Sequence, residues 1–184
     1  MLALGIDPGT LHLGWGVVSR EGNRLRHVAH GVIHTRAGSA LSERLALISS
    51  ALGEVVSLQK PEVAAVETLF FHKDAQAAAK LGHARGVVLL CLEQAGVTIA
   101  EYAPARVKRT IVGNGRAEKK QVALMVRALL GLAAPPPADA ADALALAITH
   151  LRLGTLPAAA APPSTPARDR LLRLLQPGRR ARRG

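Results

Sequence analysis

Apolar residues form short runs separated by turn residues at the start of the chain, and helical spacing becomes frequent further on. Short apolar runs bounded by turn residues predict strands, and apolar residues three and four apart predict helices. The predicted strands are residues 2–6, 14–19, 25–34, 63–66 and 97–102, and the predicted helices are residues 42–58, 74–95, 104–112, 117–130 and 139–151. This order predicts an α/β fold with a mixed five-stranded sheet and helices on both faces.

The composition of the chain changes after Gly154. Residues 155–167 are almost entirely Ala, Pro, Ser and Thr, and residues 168–184 contain seven arginines and one aspartate. We therefore expect residues 1–153 to form one folded domain. Residues 154–184 are expected to form a flexible Pro/Ala-rich linker and an Arg-rich basic tail, which either grips phosphates or only keeps the protein in solution.

The net charge of the chain indicates what kind of molecule it binds. The chain has 24 Lys and Arg residues against 13 Asp and Glu residues, which gives a formal net charge of +11 and favours a polyanion such as a nucleic acid. Aromatic residues make up only 2% of the chain, so a base-stacking platform is poorly supplied. The single cysteine, Cys91, excludes an internal disulfide, and no apolar stretch reaches the ~18 residues of a membrane span. We expect a cytoplasmic protein.

Four acidic residues stand out by their positions. Asp7 and Glu67 each end an apolar strand, and Asp139 and Asp142 lie three residues apart at the start of an Ala/Leu-rich helix. Ligand sites of α/β sheets lie at the carboxyl ends of the strands, and clustered carboxylate oxygens suit Mg²⁺ or Mn²⁺. Taken singly, Asp7 would only stabilise a turn, Glu67 would only end a surface strand, and the helix acids would only cap the helix.

A basic segment and a small-residue stripe complete the candidate features. Residues 101–120 contain six basic residues against two acids, and Lys119 and Lys120 lie in the first helical turn, where they oppose the helix dipole. This placement favours a phosphate-binding role over a merely solvated basic face. The stripe has a four-residue spacing on the helix predicted over residues 74–95, which lets another helix or the protein's own sheet approach closely; its members are Ala78, Gly82 and Gly86.

Five short motifs follow one another along the chain. They are Gly5-Ile6-Asp7-Pro8-Gly9-Thr10 with Gly14-Trp15-Gly16, Ala65-Val66-Glu67 with Phe70, Lys80-Leu81-Gly82-His83-Ala84-Arg85-Gly86, VKRTIVGNGRAEKKQV at 107–122, and Asp139-Ala140-Ala141-Asp142-Ala143-Leu144-Ala145. In this order they resemble the RuvC family of Holliday junction resolvases, over roughly residues 1–152. Thr68 departs from the family pattern, which commonly has glutamine there.

The resemblance implies a ribonuclease H-like nuclease domain over residues 1–153. It further implies a homodimeric, structure-specific endodeoxyribonuclease that resolves four-way DNA junctions by paired symmetric nicks in homologous recombination and DNA repair. Hydrolysis would use two Mg²⁺ or Mn²⁺ ions per active site and leave 5′-phosphate and 3′-hydroxyl ends. The family also implies the branch-migration proteins RuvA and RuvB as partners, and no membrane.

The resemblance also assigns candidate roles to residues. The metal-binding and catalytic acids would be Asp7, Glu67, Asp139 and Asp142, with Lys119 as a further catalytic residue. The resemblance and the basic segment together give the candidate DNA-binding residues, which are Phe70, Phe71, Arg85, Lys108, Arg109, Arg116, Lys119 and Lys120. The small-residue stripe would form the dimer interface.

Two other interpretations remain open from the sequence. The Asp7-Pro8-Gly9-Thr10 turn also occurs in actin-like and sugar-kinase ATPases, although these usually need two such domains and the chain lacks a second glycine-rich phosphate loop. A non-catalytic junction-binding protein would also account for the positive charge, but the presence of all four acids speaks against it.

Overall fold

The computed structural model describes residues 1–68 and 75–154. Phe70, Phe71 and the tail from residue 155 onward lie outside the described residues. In chain order the elements are β1 (Leu2–Asp7), β2 (His12–Glu21), β3 (Arg24–His34), α1 (Leu41–Gln59), β4 (Val63–Glu67), α2 (Ala75–Gln94), β5 (Thr98–Tyr102), α3 (Pro104–Val112), α4 (Lys119–Leu130) and α5 (Ala138–Leu153).

The five strands form one mixed sheet in the order β3-β2-β1-β4-β5. Strand β1 pairs antiparallel with β2 and parallel with β4, β2 pairs antiparallel with β3, and β4 pairs parallel with β5. The predicted α/β class and five-stranded mixed sheet are therefore confirmed. The first strand lies at the centre of the sheet, so its carboxyl end is flanked by strands on both sides.

Helices cover both faces of the sheet. Helices α1 and α2 pack on one face, where side chains such as Ile48, Leu52 and Leu92 are fully buried. Helices α3, α4 and α5 pack on the other face, around residues such as Val126 and Leu144. Cys91 is buried as a small apolar residue of the first face, as its apolar surroundings in the sequence predict.

Helix α5 rests almost directly on the backbone of β1 and β2. A Cβ added to Gly5 would fall into the backbone of Ala143, and one added to Gly16 would lie 2.6 Å from two side-chain carbons of Leu144. Eleven residues of this helix are buried, from Ala140 onward. Glycine in the strands has no side chain and alanine in the helix has only a methyl group, so the two backbones can lie close together.

Most helix boundaries differ by one or two residues from the sequence prediction, and the starts of α4 and α5 bear on the candidate site. Helix α4 begins at Lys119 and not at residue 117, because Glu118 forms a capping box with Gln121, whose side-chain oxygen accepts a hydrogen bond of 2.9 Å from the Glu118 backbone N–H. Helix α5 begins at Ala138, with Pro137 at the N-cap position. Asp139 is therefore a residue of the first turn and is not the capping residue.

In the described part of the chain, no helix combines the length and apolar character that a membrane crossing requires.

Candidate active site

Two carboxylates end neighbouring parallel strands. Asp7 is the last residue of β1 and Glu67 is the last residue of β4, and the preceding residues Ile6 and Val66 are register partners. Ile6 and Val66 belong to the core under α1 and α2. Since successive side chains of a strand point to opposite faces, Asp7 and Glu67 point toward the face that α3, α4 and α5 cover.

The start of α5 brings two further carboxylates to the same place. Gly14 is the register partner of Asp7 on β2, and a Cβ on Gly14 would lie only 3.0 Å from the Cβ of Asp139. Asp142 follows one turn later on the same side of the helix. The close contact between Gly14 and the helix therefore sets Asp139 and Asp142 beside the end of β1.

The pKa of Asp7 reflects the proximity of the other three carboxylates. Burial, and after it the negative charges of Asp142, Glu67 and Asp139, together raise the pKa of Asp7 from 3.8 to about 7, against an opposing effect of Lys119. The pKa of Glu67 is also raised, first by burial and then by Asp142. Carboxylates that repel one another in a partly dehydrated site favour the proton-bound form. The site thus concentrates more negative charge than its own cations neutralise.

One of those cations is in direct contact with the acids. The Lys119 Nζ lies 2.6 Å from Asp142 Oδ2, and the Lys119 side chain is 72% exposed while that of Asp142 is 21% exposed. The hydrogen bond to Asp142 raises the pKa of Lys119, so this side chain stays positively charged at neutral pH. Lys119 begins α4 and opposes the dipole of that helix, so its position is explained by the acids and not by helix stability.

A small cavity opens between these side chains. It has a volume of about 180 Å³ and is lined by the charged side chains of Glu67, Lys108, Lys119 and Asp142 and by apolar groups of α3, α4 and α5. Lys108 lowers the pKa of Glu67, which places its ammonium within electrostatic range of that carboxylate. Acids and lysines therefore face one shared space, which suits a substrate that carries phosphate.

The residues fit a divalent cation by their chemistry. All four candidate ligands are carboxylates, and oxygen-only donor sets suit Mg²⁺ or Mn²⁺. Across residues 1–68 and 75–154, no three Asp, Glu, His or Cys side chains are arranged to hold one ion by themselves. The raised pKa of Asp7 nevertheless marks negative charge that a divalent cation would compensate. Asp7, Glu67, Asp139 and Asp142 are the residues that would hold it.

A contact with DNA requires a side chain on the surface, and Arg85 is buried. It is only 9% exposed, its Nη2 lies 2.5 Å from Glu101 Oε2, and its Nε donates a hydrogen bond of 3.2 Å to the main-chain oxygen of Glu67. This pairing could not be predicted from the sequence, because the partners come from α2, β4 and β5 and nothing in the chain order links them.

The other candidate DNA-binding cations are accessible. Arg109 lies on α3, Arg116 in the following loop and Lys120 on α4, and all three are exposed. The loop between these helices starts at Gly113, whose φ of 85° favours glycine. Three exposed positive charges therefore accompany Lys108 and Lys119 on α3, α4 and the loop between them.

The small-residue stripe lies on α2, away from the acids. Within the described part of the chain, a Cβ added to Gly82 or Gly86 would meet no atom within 4 Å outside the neighbouring helix backbone, and Ala78 is half-buried. A shallow groove of about 460 Å³ runs along this region, with Leu45, Gly82, Gly86 and Leu90 among its lining residues. Packing on the chain's own sheet, the alternative left open by the sequence, does not account for the two glycines.

Comparison with known proteins identifies the family. The family model described as "Crossover junction endodeoxyribonuclease RuvC" matches residues 3–150. The chain belongs to the RuvC family. It is 58% identical over 178 residues to the crossover junction endodeoxyribonuclease RuvC of Sorangium cellulosum, covering 95% of this chain and 99% of the relative. The RuvC of Afipia carboxidovorans is 53% identical over 147 residues, which are 80% of this chain and 86% of that protein.

A solved RuvC structure agrees with the fold. The structure described as "T. thermophilus RuvC in complex with Holliday junction substrate" superposes with a TM-score of 0.78 at 39% identity, covering 85% of this chain and 97% of that chain. The predicted family, the ribonuclease H-like fold and the class of metal-dependent nuclease are thereby confirmed. The alignment with the Sorangium protein necessarily extends beyond residue 154, so a RuvC relative shares a C-terminal segment of similar length.

Proposed function

We propose that this RuvC-family protein resolves Holliday junctions, in homologous recombination and DNA repair, by nicking two opposite strands symmetrically. The observation that carries the proposal is that Asp7 and Glu67 end paired strands while the start of α5 brings Asp139 and Asp142 beside Asp7. Lys108 and Lys119 stand beside these acids in the same cavity. The solved T. thermophilus relative holds a Holliday junction, which supports the same substrate class for this chain.

The acids would hold the metal that the family requires. Asp7, Glu67, Asp139 and Asp142 would hold two Mg²⁺ or Mn²⁺ ions, and the charges of the other three acids all act on Asp7. Bound in this way, the ions would activate a water molecule and stabilise the leaving 3′ oxygen. All four acids are partly buried, which strengthens the charge interactions among them.

The lysines would act on the phosphate itself. The Lys119 ammonium is charged and is held at the acid cluster by its ion pair with Asp142. Most of the Lys119 side chain is exposed. It would neutralise negative charge that builds up on the phosphate during hydrolysis. Lys108 would orient a neighbouring phosphate from the other side of the cavity. Cleavage at the bond to the 3′ oxygen would leave 5′-phosphate and 3′-hydroxyl ends.

Binding of the junction would be mainly electrostatic. Arg109, Arg116 and Lys120 are exposed on α3, in the following loop and on α4, and Phe70 and Phe71 follow Glu67 in the chain, where an apolar side chain would contact unpaired bases. Neutralising several phosphates makes the affinity fall steeply with salt. A binding constant that hardly changes between 50 and 200 mM NaCl would contradict this part of the proposal.

The protein would act as a homodimer formed through α2. Gly82 and Gly86 leave the helix backbone accessible, and the groove beside them has an apolar lining that includes Leu90, whose side chain is 58% exposed. A second copy of α2 fits this surface, because small residues at four-residue spacing let two helices approach closely. A two-fold dimer presents two equivalent sites to the two like strands of a four-way junction.

The wider setting follows from the family. We expect the protein to act in the cytoplasm, with residues 1–153 as the nuclease domain and residues 154–184 as a linker and basic tail. The branch-migration proteins RuvA and RuvB would deliver the junction. The unpaired, buried thiol of Cys91 is compatible with a reducing compartment.

A cleavage assay tests the proposal directly. A synthetic four-way junction with Mg²⁺ or Mn²⁺ is expected to give two nicked duplexes that DNA ligase reseals, since the ends carry 5′-phosphate and 3′-hydroxyl. Linear duplex of the same sequence should remain uncut. Asp7→Asn is the control: it should bind the junction and lose at least about 1,000-fold in rate, or about 4 kcal/mol. Junction binding without cleavage by the unaltered protein would favour an architectural role instead.

A further inference from the structure

Arg85 forms a buried connection among three elements of the fold. Its guanidinium pairs with Glu101 of β5 at 2.5 Å and donates from Nε to the main-chain oxygen of Glu67 at 3.2 Å. Arg85 belongs to α2, which packs under the sheet on the face opposite to the acid cluster. It therefore contacts Glu67 from behind, through the backbone, while the Glu67 carboxylate faces the other way.

The position of this contact along β4 gives it a mechanical role. Glu67 is the last residue of a five-residue strand, and Thr68 makes a backbone hydrogen bond of 3.0 Å to Tyr102 just after it. Val66 and Glu101 are register partners, so the pair with Glu101 ties the end of β4 to its neighbouring strand. An arginine that is 9% exposed holds such a geometry firmly, because an unpaired buried charge is costly.

We propose that Arg85 is a positioning residue that fixes the direction of the Glu67 carboxylate, and that it does not contact DNA. The inference rests on the proposed function in one respect, namely that Glu67 helps to hold the metal. The guanidinium binds the Glu67 carbonyl and the Glu101 carboxylate at the same time, and this restricts rotation of the backbone at the end of β4. Groups that orient a metal ligand from outside the coordination shell commonly change metal affinity by 10–100-fold.

A double-mutant cycle separates positioning from general stability. Mn²⁺ binding to the full chain is measured by electron paramagnetic resonance for the unaltered protein, Arg85→Met, Glu67→Gln and the double variant. We expect Arg85→Met to weaken Mn²⁺ binding about 10-fold. In the Glu67→Gln background the same substitution should change Mn²⁺ binding by less than about 2-fold, because the group it positions is already gone. An equal loss in both backgrounds would overturn the proposal.

Salt dependence separates positioning from phosphate contact. Junction binding is measured without metal at several NaCl concentrations for Arg85→Met and for Arg109→Met, an exposed arginine on α3 that serves as the matched control. Loss of one phosphate contact lowers the slope of log K against log salt by about one. We expect that fall for Arg109→Met and an unchanged slope for Arg85→Met. A fall of about one for Arg85→Met would overturn the proposal.

A milder variant guards against misfolding. Glu101→Gln keeps the size of the side chain, which is 46% exposed, and removes its charge. It should weaken Mn²⁺ binding by an amount between the unaltered protein and Arg85→Met, at a melting temperature close to the unaltered one. Unchanged Mn²⁺ affinity in Glu101→Gln would count against the connection. Absence of Mn²⁺ binding in the unaltered protein would instead refute the proposed metal site itself.

Discussion

The Lys119 ammonium lies 2.6 Å from a carboxylate oxygen of Asp142, so an acid proposed to bind metal already has a cation as its neighbour. Any divalent ion that uses Asp142 must share that carboxylate with Lys119 or displace it. The lysine thus opposes metal binding through charge repulsion, whereas under the proposed function it would also act on the phosphate. Lys119 is therefore expected to lower the affinity for metal and to raise the rate of cleavage.

Replacing Lys119 with Met should therefore tighten Mn²⁺ binding while slowing cleavage. We expect Mn²⁺ affinity to rise a few-fold and the single-turnover rate at saturating Mn²⁺ to fall about 100-fold, because transition-state charge on the phosphate is no longer neutralised. Calorimetry and a quenched cleavage assay check the two quantities. Lys120→Met is the control, since Lys120 is the next residue of the same helix and should affect junction affinity alone. Weaker Mn²⁺ binding in Lys119→Met would contradict the argument.

The raised pKa of Asp7 predicts that the metal-free protein loses stability as pH rises. The unfolded chain releases this proton near pH 3.8, and the folded chain holds it until about pH 7. Between these values the folded state binds more protons, so the free energy of unfolding falls with rising pH, by up to about 4 kcal/mol in total. Urea unfolding in EDTA from pH 5 to 8.5 checks this.

The same titration has a control and a counterpart with metal. Asp7→Asn should flatten the decline and be more stable than the unaltered protein at pH 8, because it removes the carboxylate that must lose its proton. Mn²⁺ affinity should rise through pH 7, since the metal competes with the proton. A pH-independent difference between the two proteins would show that Asp7 titrates normally.

Gly14 predicts an unusual sensitivity at the contact between β2 and α5. An added methyl group would fall against the backbone of Asp139, which cannot rotate away as a side-chain tip would. We expect Gly14→Ala to cost about 1–3 kcal/mol in unfolding free energy and to weaken Mn²⁺ binding, because the helix start shifts away from Asp7. Gly53→Ala, in the interior of α1 with open space around it, should instead stabilise by about 0.5–1 kcal/mol.

The open surface of α2 predicts a dimer that one substitution disrupts. Gly82→Leu should shift sedimentation from dimer to monomer at micromolar concentration and slow the second nick relative to the first, with the melting behaviour of the monomer little changed. Ala128→Leu on the exposed side of α4 adds the same side chain elsewhere and should leave the dimer intact. A monomeric unaltered protein, with and without junction DNA, would contradict the arrangement.

The sequence predicts the elements of this fold and the four acids because their signals are local. Asp7 and Glu67 stand where apolar runs stop, and the observed strands end at these same residues. The place of Arg85 could not be predicted, since its partners Glu67 and Glu101 come together only when β4 and β5 pair. The contact of Gly14 with Asp139 could not be predicted from the sequence either, although a glycine within a strand indicates that another backbone approaches closely.

The seating of α5 on bare strand backbone has a consequence for how this protein can change over evolutionary time. The spacing between the first turn of the helix and the end of β1 is set by the thickness of the polypeptide main chain, and no exchangeable side chain acts as a spacer. Apolar residues beneath α1 and α2 can therefore be replaced by others while the proposed active site keeps its dimensions. At Gly5 and Gly14, by contrast, the smallest possible enlargement alters those dimensions at once.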